Sequence, residues 1–162
     1  MPNFEKKFVA DAMLGRLARW LRIMGCDVLY DSRLDDNSLL SIALSYNRIL
    51  ITKDRELALR AKKNGYLVLG EGTKKQIPEI IRRFEIEPII SGDRCSDCNG
   101  IIGNVPRREV ENSIPKYTSL IHEIFRRCSS CGRIFWDGSH LALAKKNLAE
   151  ILNQDDEDKS NS

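Results

Sequence analysis

The chain has 162 residues, of which 42% are hydrophobic and 30% charged, and its 26 Lys and Arg against 23 Asp and Glu give a formal charge of +3. This length accommodates one ordinary domain and one small one. No apolar stretch approaches the ~20 residues of a membrane-spanning helix, and no apolar run follows the charged N-terminus as it would in a secretory signal. We therefore expect a protein that is not inserted in a membrane and that works in the reducing cytoplasm.

Short β-branched runs alternate with amphipathic segments in the first half of the chain. The pattern predicts strands at residues 7–10, 27–30, 48–52 and 66–69, and helices at 12–24, 38–46, 54–63 and 74–84. One helix between successive strands is typical of a parallel sheet with right-handed crossovers. We predict a three-layer α/β domain over residues 1–90.

Two Cys-x-x-Cys pairs, each followed closely by a glycine (Gly100 and Gly132), stand in the last part of the chain. They comprise Cys95, Cys98, Cys128 and Cys131. Four thiolates form the closed tetrahedral shell of a structural zinc ion. Two disulfides or a redox dithiol are the alternatives, but a reducing compartment and a second pair favour zinc. We predict a zinc ribbon and a C-terminal helix over residues 91–150, while Cys26 reads as a small buried apolar residue.

The C-terminal segment, residues 151–162, is acidic and polar. Its charged residues sum to −3 and leave +6 on the rest of the chain, a balance compatible with a polyanionic partner; they are Asp155, Asp156, Glu157, Asp158 and Lys159. The polar composition from Asn153 onward predicts a disordered tail.

Three aspartates fall near the ends of predicted strands. Asp11 directly follows the first strand, Asp54 follows the third, and Asp36 begins the second helix. Ligand sites of parallel sheets lie beyond the carboxyl ends of the strands. Three carboxylates there suit Mg²⁺ or Mn²⁺, which can activate water and stabilise a departing oxyanion. The alternative is that each aspartate only caps a helix.

Basic and aromatic residues offer contacts for a nucleic acid. Arg16, Arg19 and Arg22 lie three apart along the first helix, as a solvated face or, for Arg16 and Arg19, as phosphate contacts. Aromatic and basic residues alternate around the second cysteine pair, and they could either bind single-stranded RNA or form the ribbon's own core. They are Phe125, Arg126, Arg127, Arg133, Phe135 and Trp136. We read His122 and His140 as structural or RNA-contacting.

Several stretches together resemble one known family. They are FVADAMLGRLARWLR (residues 8–22), LDD (34–36), ITKDREL (51–57), both cysteine pairs and CGRIFWDGSH (131–140). From about Lys7 to Leu143 the chain resembles the mut-seven C-terminal RNase domain family, a branch of the PIN-like nucleases with a zinc ribbon. The resemblance implies a metal-dependent RNase with catalytic acids at Asp11, Asp36 and Asp54 and zinc on the four cysteines. Asp31, Asp35 and Glu56 are candidates for a fourth acid.

Two other classes of function stay open. In a non-catalytic RNA-binding module the acids would cap helices and the ribbon would bind the RNA. In a phosphoryl-transfer domain Asp11 or Asp54 would be the nucleophile, with a second acid two residues later. Met13 occupies that place after Asp11, and Glu56 occupies it after Asp54.

Overall fold

The computed structural model describes the backbone of residues 2–160, and all their side chains except those of 139, 140 and 159. Within this part of the chain a parallel sheet of four strands is followed by an antiparallel sheet of three. The parallel strands are β1 (Lys7–Ala10), β2 (Asp27–Tyr30), β3 (Ile49–Thr52) and β4 (Gly65–Leu67), in the order β2-β1-β3-β4. This topology places the carboxyl ends of β1 and β3 side by side.

Helices cover both faces of the parallel sheet. They are α1 (Gly15–Ile23), α2 (Asp36–Ser45), α3 (Arg55–Arg60) and α4 (Thr73–Phe84). Because successive side chains of a strand point to opposite faces, Phe8 and Ala10 pack in one cluster with α1 and α4. Val9 packs in a second cluster with α2 and α3. The predicted three-layer α/β architecture is confirmed.

The antiparallel sheet forms the ribbon. Its strands are β5 (Ile102–Val105), β6 (Phe125–Cys128) and β7 (Ile134–Trp136), and the long β5–β6 connection contains α5 (Lys116–Ile121). Ile102 and Phe135 pack against Cys95 and Cys128 in its small core. So few apolar residues make a core that needs a further source of stability, which a metal bound by the cysteines would provide.

The last helix, α6 (Ser139–Ser160), differs from the sequence prediction. The disordered tail over residues 151–162 is wrong as far as residue 160, because the helix continues through it. Leu148 and Ile151 are buried in the same core as α1 and α4, and Asp155 forms an ion pair with Arg82. The acidic composition of the segment does not predict an ion pair with Arg82, which lies on α4. The chain therefore returns from the ribbon to the first domain. None of the helices in residues 2–160 combines the length and apolar character that a membrane span requires.

Candidate functional site

One hydroxyl group links the Asp11 carboxylate to the Asp54 backbone at the carboxyl edge of the sheet. Asp11 follows β1, Asp54 follows β3, and the two strands are hydrogen-bonded neighbours. The fully buried Thr52 donates from Oγ1 to Asp11 Oδ2 at 2.7 Å, and the same Oγ1 accepts from the Asp54 N–H at 2.9 Å. This hydroxyl fixes the Asp11 carboxylate relative to the Asp54 backbone. The sequence analysis did not single out Thr52, although it stands in the ITKDREL stretch.

The capping alternative separates the three predicted acids. Asp54 does cap α3, because its Oδ1 accepts from the Leu57 N–H at 2.9 Å. Asp11 makes no side-chain cap. In each of these two carboxylates the other oxygen has no hydrogen-bond partner within residues 2–160. Capping therefore occupies one carboxylate oxygen of Asp54 and neither carboxylate oxygen of Asp11.

Asp36 has a different environment from the other two. The cap of α2 is Asp35, whose Oδ1 accepts from the Ser38 N–H at 2.8 Å. Asp36 lies in the first turn, is exposed, and approaches Arg60 of α3 at 3.8 Å. Among the described residues no three carboxylates bring their oxygens within 4.8 Å of one another. The structure thus brings Asp11 and Asp54 to one edge and leaves the convergence of Asp36 with them a prediction.

The candidates for a fourth acid also have partners. Both oxygens of Asp31 accept from Arg33, and these hydrogen bonds lower the pKa of Asp31 to about 2. Asp35 is held by its cap. Glu56 is an exposed residue of the first turn of α3. None of these contacts directs a fourth carboxylate toward Asp11.

Lys53 adds a cation to the same edge, which the sequence analysis did not consider. It stands between Thr52 and Asp54, and its Nζ donates to Glu71 Oε1 at 2.7 Å and to the Gly70 carbonyl at 3.2 Å. The contacts tie the end of β3 to the loop after β4. The Glu71 carboxylate balances the charge of the ammonium group.

The four predicted zinc ligands do come together. Their sulfur atoms all lie within 4.8 Å of one another, and none is in a disulfide. Cys95 Sγ lies 3.8 Å from Cys131 Sγ, and Cys98 Sγ lies 3.4 Å from Cys128 Sγ. A tetrahedral shell with Zn–S bonds of ~2.3 Å separates its sulfurs by about 3.8 Å. The cluster therefore fits a zinc ion, and the set is closed, as in structural zinc sites.

Each cysteine pair turns its backbone with a left-handed residue directly after the second cysteine. In the second pair this residue is Gly132, at φ 73°, as the glycine predicts. In the first pair it is Asn99, at φ 67°, and not Gly100. Gly100 has another role, because a Cβ there would lie 2.6 Å from Cys128 Sγ. Burial opposes ionisation of Cys128, but N–H groups of Cys131 and of the residue before it outweigh burial and lower its pKa to about 7.

Asn99 also joins the first cysteine turn to the parallel sheet. Its Oδ1 accepts from the Val28 N–H at 3.0 Å, and its Nδ2 donates to Asp27 Oδ1 at 2.7 Å. Arg48 binds both oxygens of the same buried Asp27 at 3.0 Å. Burial acts to raise the pKa of Asp27, but the hydrogen bonds from Arg48 and Asn99 outweigh it, and the pKa is lowered. The edge strand β2 is therefore covered by the ribbon.

The arginines of α1 have unequal roles. Arg22 is 4% exposed; its Nε donates to the Val28 carbonyl at 2.9 Å and its Nη1 to the Asp97 carbonyl at 2.9 Å. It is a structural link between α1 and the first cysteine turn. Arg19, predicted to bind phosphate, donates to Asp97 Oδ1 at 2.6 Å. Arg16 is exposed and pairs with no residue in the described part of the chain.

The aromatic and basic residues of the ribbon have partners within the protein. Arg126 pairs with Asp137 at 2.9 Å, and Arg127 donates to the Glu109 carbonyl at 2.7 Å. Phe125 is buried. These contacts favour the alternative in which the group builds the ribbon.

The remaining single residues predicted from the sequence are less informative. The His122 ring lies 6.5 Å from the Trp136 ring, centroid to centroid. His140 lies outside the residues whose side chains are described. Cys26 is fully buried, and burial raises its pKa to about 12, as a small apolar role predicts.

Comparison with known proteins identifies the family of the chain. No curated protein and no solved structure matches the chain significantly. A family model, described as the Mut7-C RNAse domain, matches residues 6–148. The match covers nearly the whole chain, including both cysteine pairs and the edge that carries Asp11 and Asp54. The chain belongs to the Mut7-C RNAse domain family.

Proposed function

We propose that the protein is a metal-dependent ribonuclease that holds Mg²⁺ or Mn²⁺ between Asp11 and Asp54. The observation that supports the proposal is the Thr52 hydroxyl, which donates to Asp11 Oδ2 at 2.7 Å and accepts from the Asp54 N–H at 2.9 Å, while the Asp11 side chain caps no helix. Each acid keeps one oxygen without a hydrogen-bond partner in residues 2–160. Oxygen ligands of this kind suit Mg²⁺ and Mn²⁺, which take the rest of their shell from water and phosphate.

A divalent ion at this edge would supply positive charge to the phosphodiester and lower the pKa of a bound water. The chain's own part is to position the groups. Thr52 orients Asp11, and the α3 cap orients Asp54. Asp36 completes the ligand set when its exposed carboxylate leaves Arg60, a contact of 3.8 Å that costs little to break at the surface.

The substrate in this proposal is single-stranded RNA. Arg16 is exposed one turn after Asp11 and is free to contact a phosphate, whereas Arg19 must first leave Asp97. Lys53, next to Asp54 in sequence, would also have to leave its ion pair with Glu71 before it could contact a phosphate. Arg16 is therefore the cation we expect to contact the RNA first.

Zinc has a structural role in this proposal, because four cysteine ligands leave no coordination position for water. Thiols that must stay reduced to bind zinc support a cytoplasmic location, which we propose as well.

The test is cleavage of end-labelled single-stranded RNA by zinc-loaded protein with Mn²⁺, with Mg²⁺ and without added metal. We expect metal-dependent cleavage that Asp11→Asn abolishes and that Asp137→Asn, a matched change on the ribbon, retains. Asp36→Asn reports on the third ligand. Cleavage by Asp11→Asn at the wild-type rate would remove Asp11 from the site.

A second candidate function is a non-catalytic RNA-binding protein. The observation that favours it is that Asp54 caps α3 and Asp36 pairs with Arg60, so the acids have structural uses. RNA bound by zinc-loaded protein but not cleaved under any of the metal conditions would establish it.

A further inference from the structure

The opposite edge of the parallel sheet carries a basic cleft that the proposed reaction does not use. The cleft measures about 730 Å³ and lies at the amino ends of β1, β3 and β4, beside the last turn of α4. Four cations line it: Lys6, Lys7, Lys63 and Arg83. Its volume is in the range of sites that hold a small organic ligand or more than one group of a polymer.

Within residues 2–160, the four cations of this cleft form no ion pair with an acid. Glu5 and Glu85 also line it, so the cleft carries a net charge of about +2, but neither carboxylate is within ion-pairing distance of Lys7, Lys63 or Arg83 in the described part of the chain. Elsewhere in residues 2–160, Arg33, Arg48 and several other arginines pair with acids. An anion bound in the cleft would therefore meet cations that lose no existing ion pair.

Arg83 is also held in place. Its guanidinium lies 5.7 Å from the centre of the Tyr66 ring and 5.3 Å from that of Phe84. Phe84 itself packs edge-to-face on Phe8 and Tyr66 and forms part of the cleft wall. A cation fixed by rings loses little conformational entropy when it binds an anion.

The surroundings favour a nucleotide over a carboxylate ligand. Besides the cations, the cleft offers the exposed amide of Asn47. Amide groups pair with base edges, whereas an acidic peptide needs only the cations.

We propose that this cleft is a second RNA-binding site, which holds the phosphate backbone of a single strand away from the catalytic edge. It rests on the proposed function in that RNA is the substrate. Because β1 has four residues, Lys7 at the cleft and Asp11 at the other edge are about 13 Å apart along the strand. A strand that occupies both sites must pass around the domain, so the cleft raises affinity for long RNA without contacting the reacting phosphate.

The test measures binding and not cleavage, so it does not depend on whether the protein is a nuclease. Zinc-loaded protein is titrated with a fluorescent single-stranded RNA, followed by anisotropy over a series of salt concentrations. Lys7→Gln/Lys63→Gln removes two exposed cleft cations, and Lys116→Gln/Lys145→Gln removes two exposed cations outside the cleft as the matched control.

We expect the cleft variant to bind RNA several-fold more weakly and to lower the salt slope of log Kd by about 1.4, since each phosphate contact of a single strand contributes about 0.7. The control pair should leave both quantities near wild type. Equal effects of the two pairs, or no RNA binding by the wild type, would overturn the proposal. Polyglutamate is a further control. If it bound as tightly as RNA through the same two lysines, the cleft would recognise only negative charge, and the proposal would also be overturned.

Discussion

Replacing Asn99 by alanine should destabilise the whole protein, and not only the ribbon. The side chain is buried, and its two hydrogen bonds join the first cysteine turn to Val28 and Asp27 of β2. Alanine would leave the Val28 N–H without a partner, which costs about 1–3 kcal/mol. Position 99 also has a left-handed backbone, with φ 67°, which alanine adopts less readily than asparagine; this adds about 1 kcal/mol. We expect a total loss of about 3 kcal/mol.

The magnitude can be separated into its two causes by a second variant. Asn99→Gly removes the same hydrogen bonds but tolerates the left-handed backbone, so it should be about 1 kcal/mol more stable than Asn99→Ala. Asn104→Ala, an exposed residue of β5, is the matched control and should change stability by less than about 0.5 kcal/mol.

Urea unfolding of zinc-loaded protein measures the free energy of unfolding, and the zinc content of each variant is measured beforehand. In a parallel thermal unfolding experiment, a loss of about 3 kcal/mol should lower the midpoint by about 6–12 °C for a chain of this length. Full zinc content together with a loss below about 1 kcal/mol for Asn99→Ala would refute the docking of the ribbon through this residue.

Four further outcomes follow from the contacts. Thr52→Val should slow metal-dependent cleavage at least several-fold, because it removes the hydroxyl that orients Asp11, and it should destabilise the protein by about 1 kcal/mol, because the Asp54 N–H loses its partner; an unchanged rate would contradict this role. Cys128→Ser should lower zinc content and thermal stability more than it weakens Mn²⁺ binding, and loss of Mn²⁺ binding with unchanged melting would contradict that division. Since the folded-state pKa of Asp27 is lowered, its stabilising contribution is complete above the unfolded value of 3.8 and falls as the pH drops below it, so Asp27→Asn should flatten the acid limb of the stability curve. Cys26 should resist alkylation at neutral pH until the protein unfolds, since burial raises its pKa to about 12; rapid labelling of the native protein would be inconsistent with its burial.

Local signals in the sequence predicted the parallel sheet well. The predicted bounds of β1 and β2 agree with the structure, because each short apolar run is followed by an aspartate that ends it. The third predicted helix is too long, since α3 ends at Arg60 and Lys62 adopts φ 52° before β4. Helical periodicity alone does not report such a turn.

The contacts between the domains were beyond the sequence analysis. Asn99 and Asp27 are 72 residues apart, and Arg19 is 78 residues from Asp97. The spacing of Arg16, Arg19 and Arg22 predicts one helix side but does not say which guanidinium is buried against the ribbon. The same holds for Asp11 and Asp54. The strand pattern predicts their positions after β1 and β3, but it does not predict that the Thr52 hydroxyl links them.

The prediction of a disordered tail failed for a related reason, whereas the C-terminal helix itself was predicted. Composition describes the tail by itself, and the acidic residues of a helix end are stabilised here by a basic residue of α4 that lies far away in sequence. Leu148 and Ile151 were the local signal that the helix returns to the first core.

The most direct test of the central claim is the single-turnover rate of RNA cleavage as a function of Mn²⁺ concentration, for wild-type protein and for Asp54→Asn. Asparagine keeps the side-chain oxygen that caps α3, so the fold should be retained while a carboxylate ligand is lost. The account predicts a rate that rises to saturation with Mn²⁺ in the wild type and is near background in the variant. Equal rates in the two proteins, or cleavage that needs no divalent metal, would contradict it.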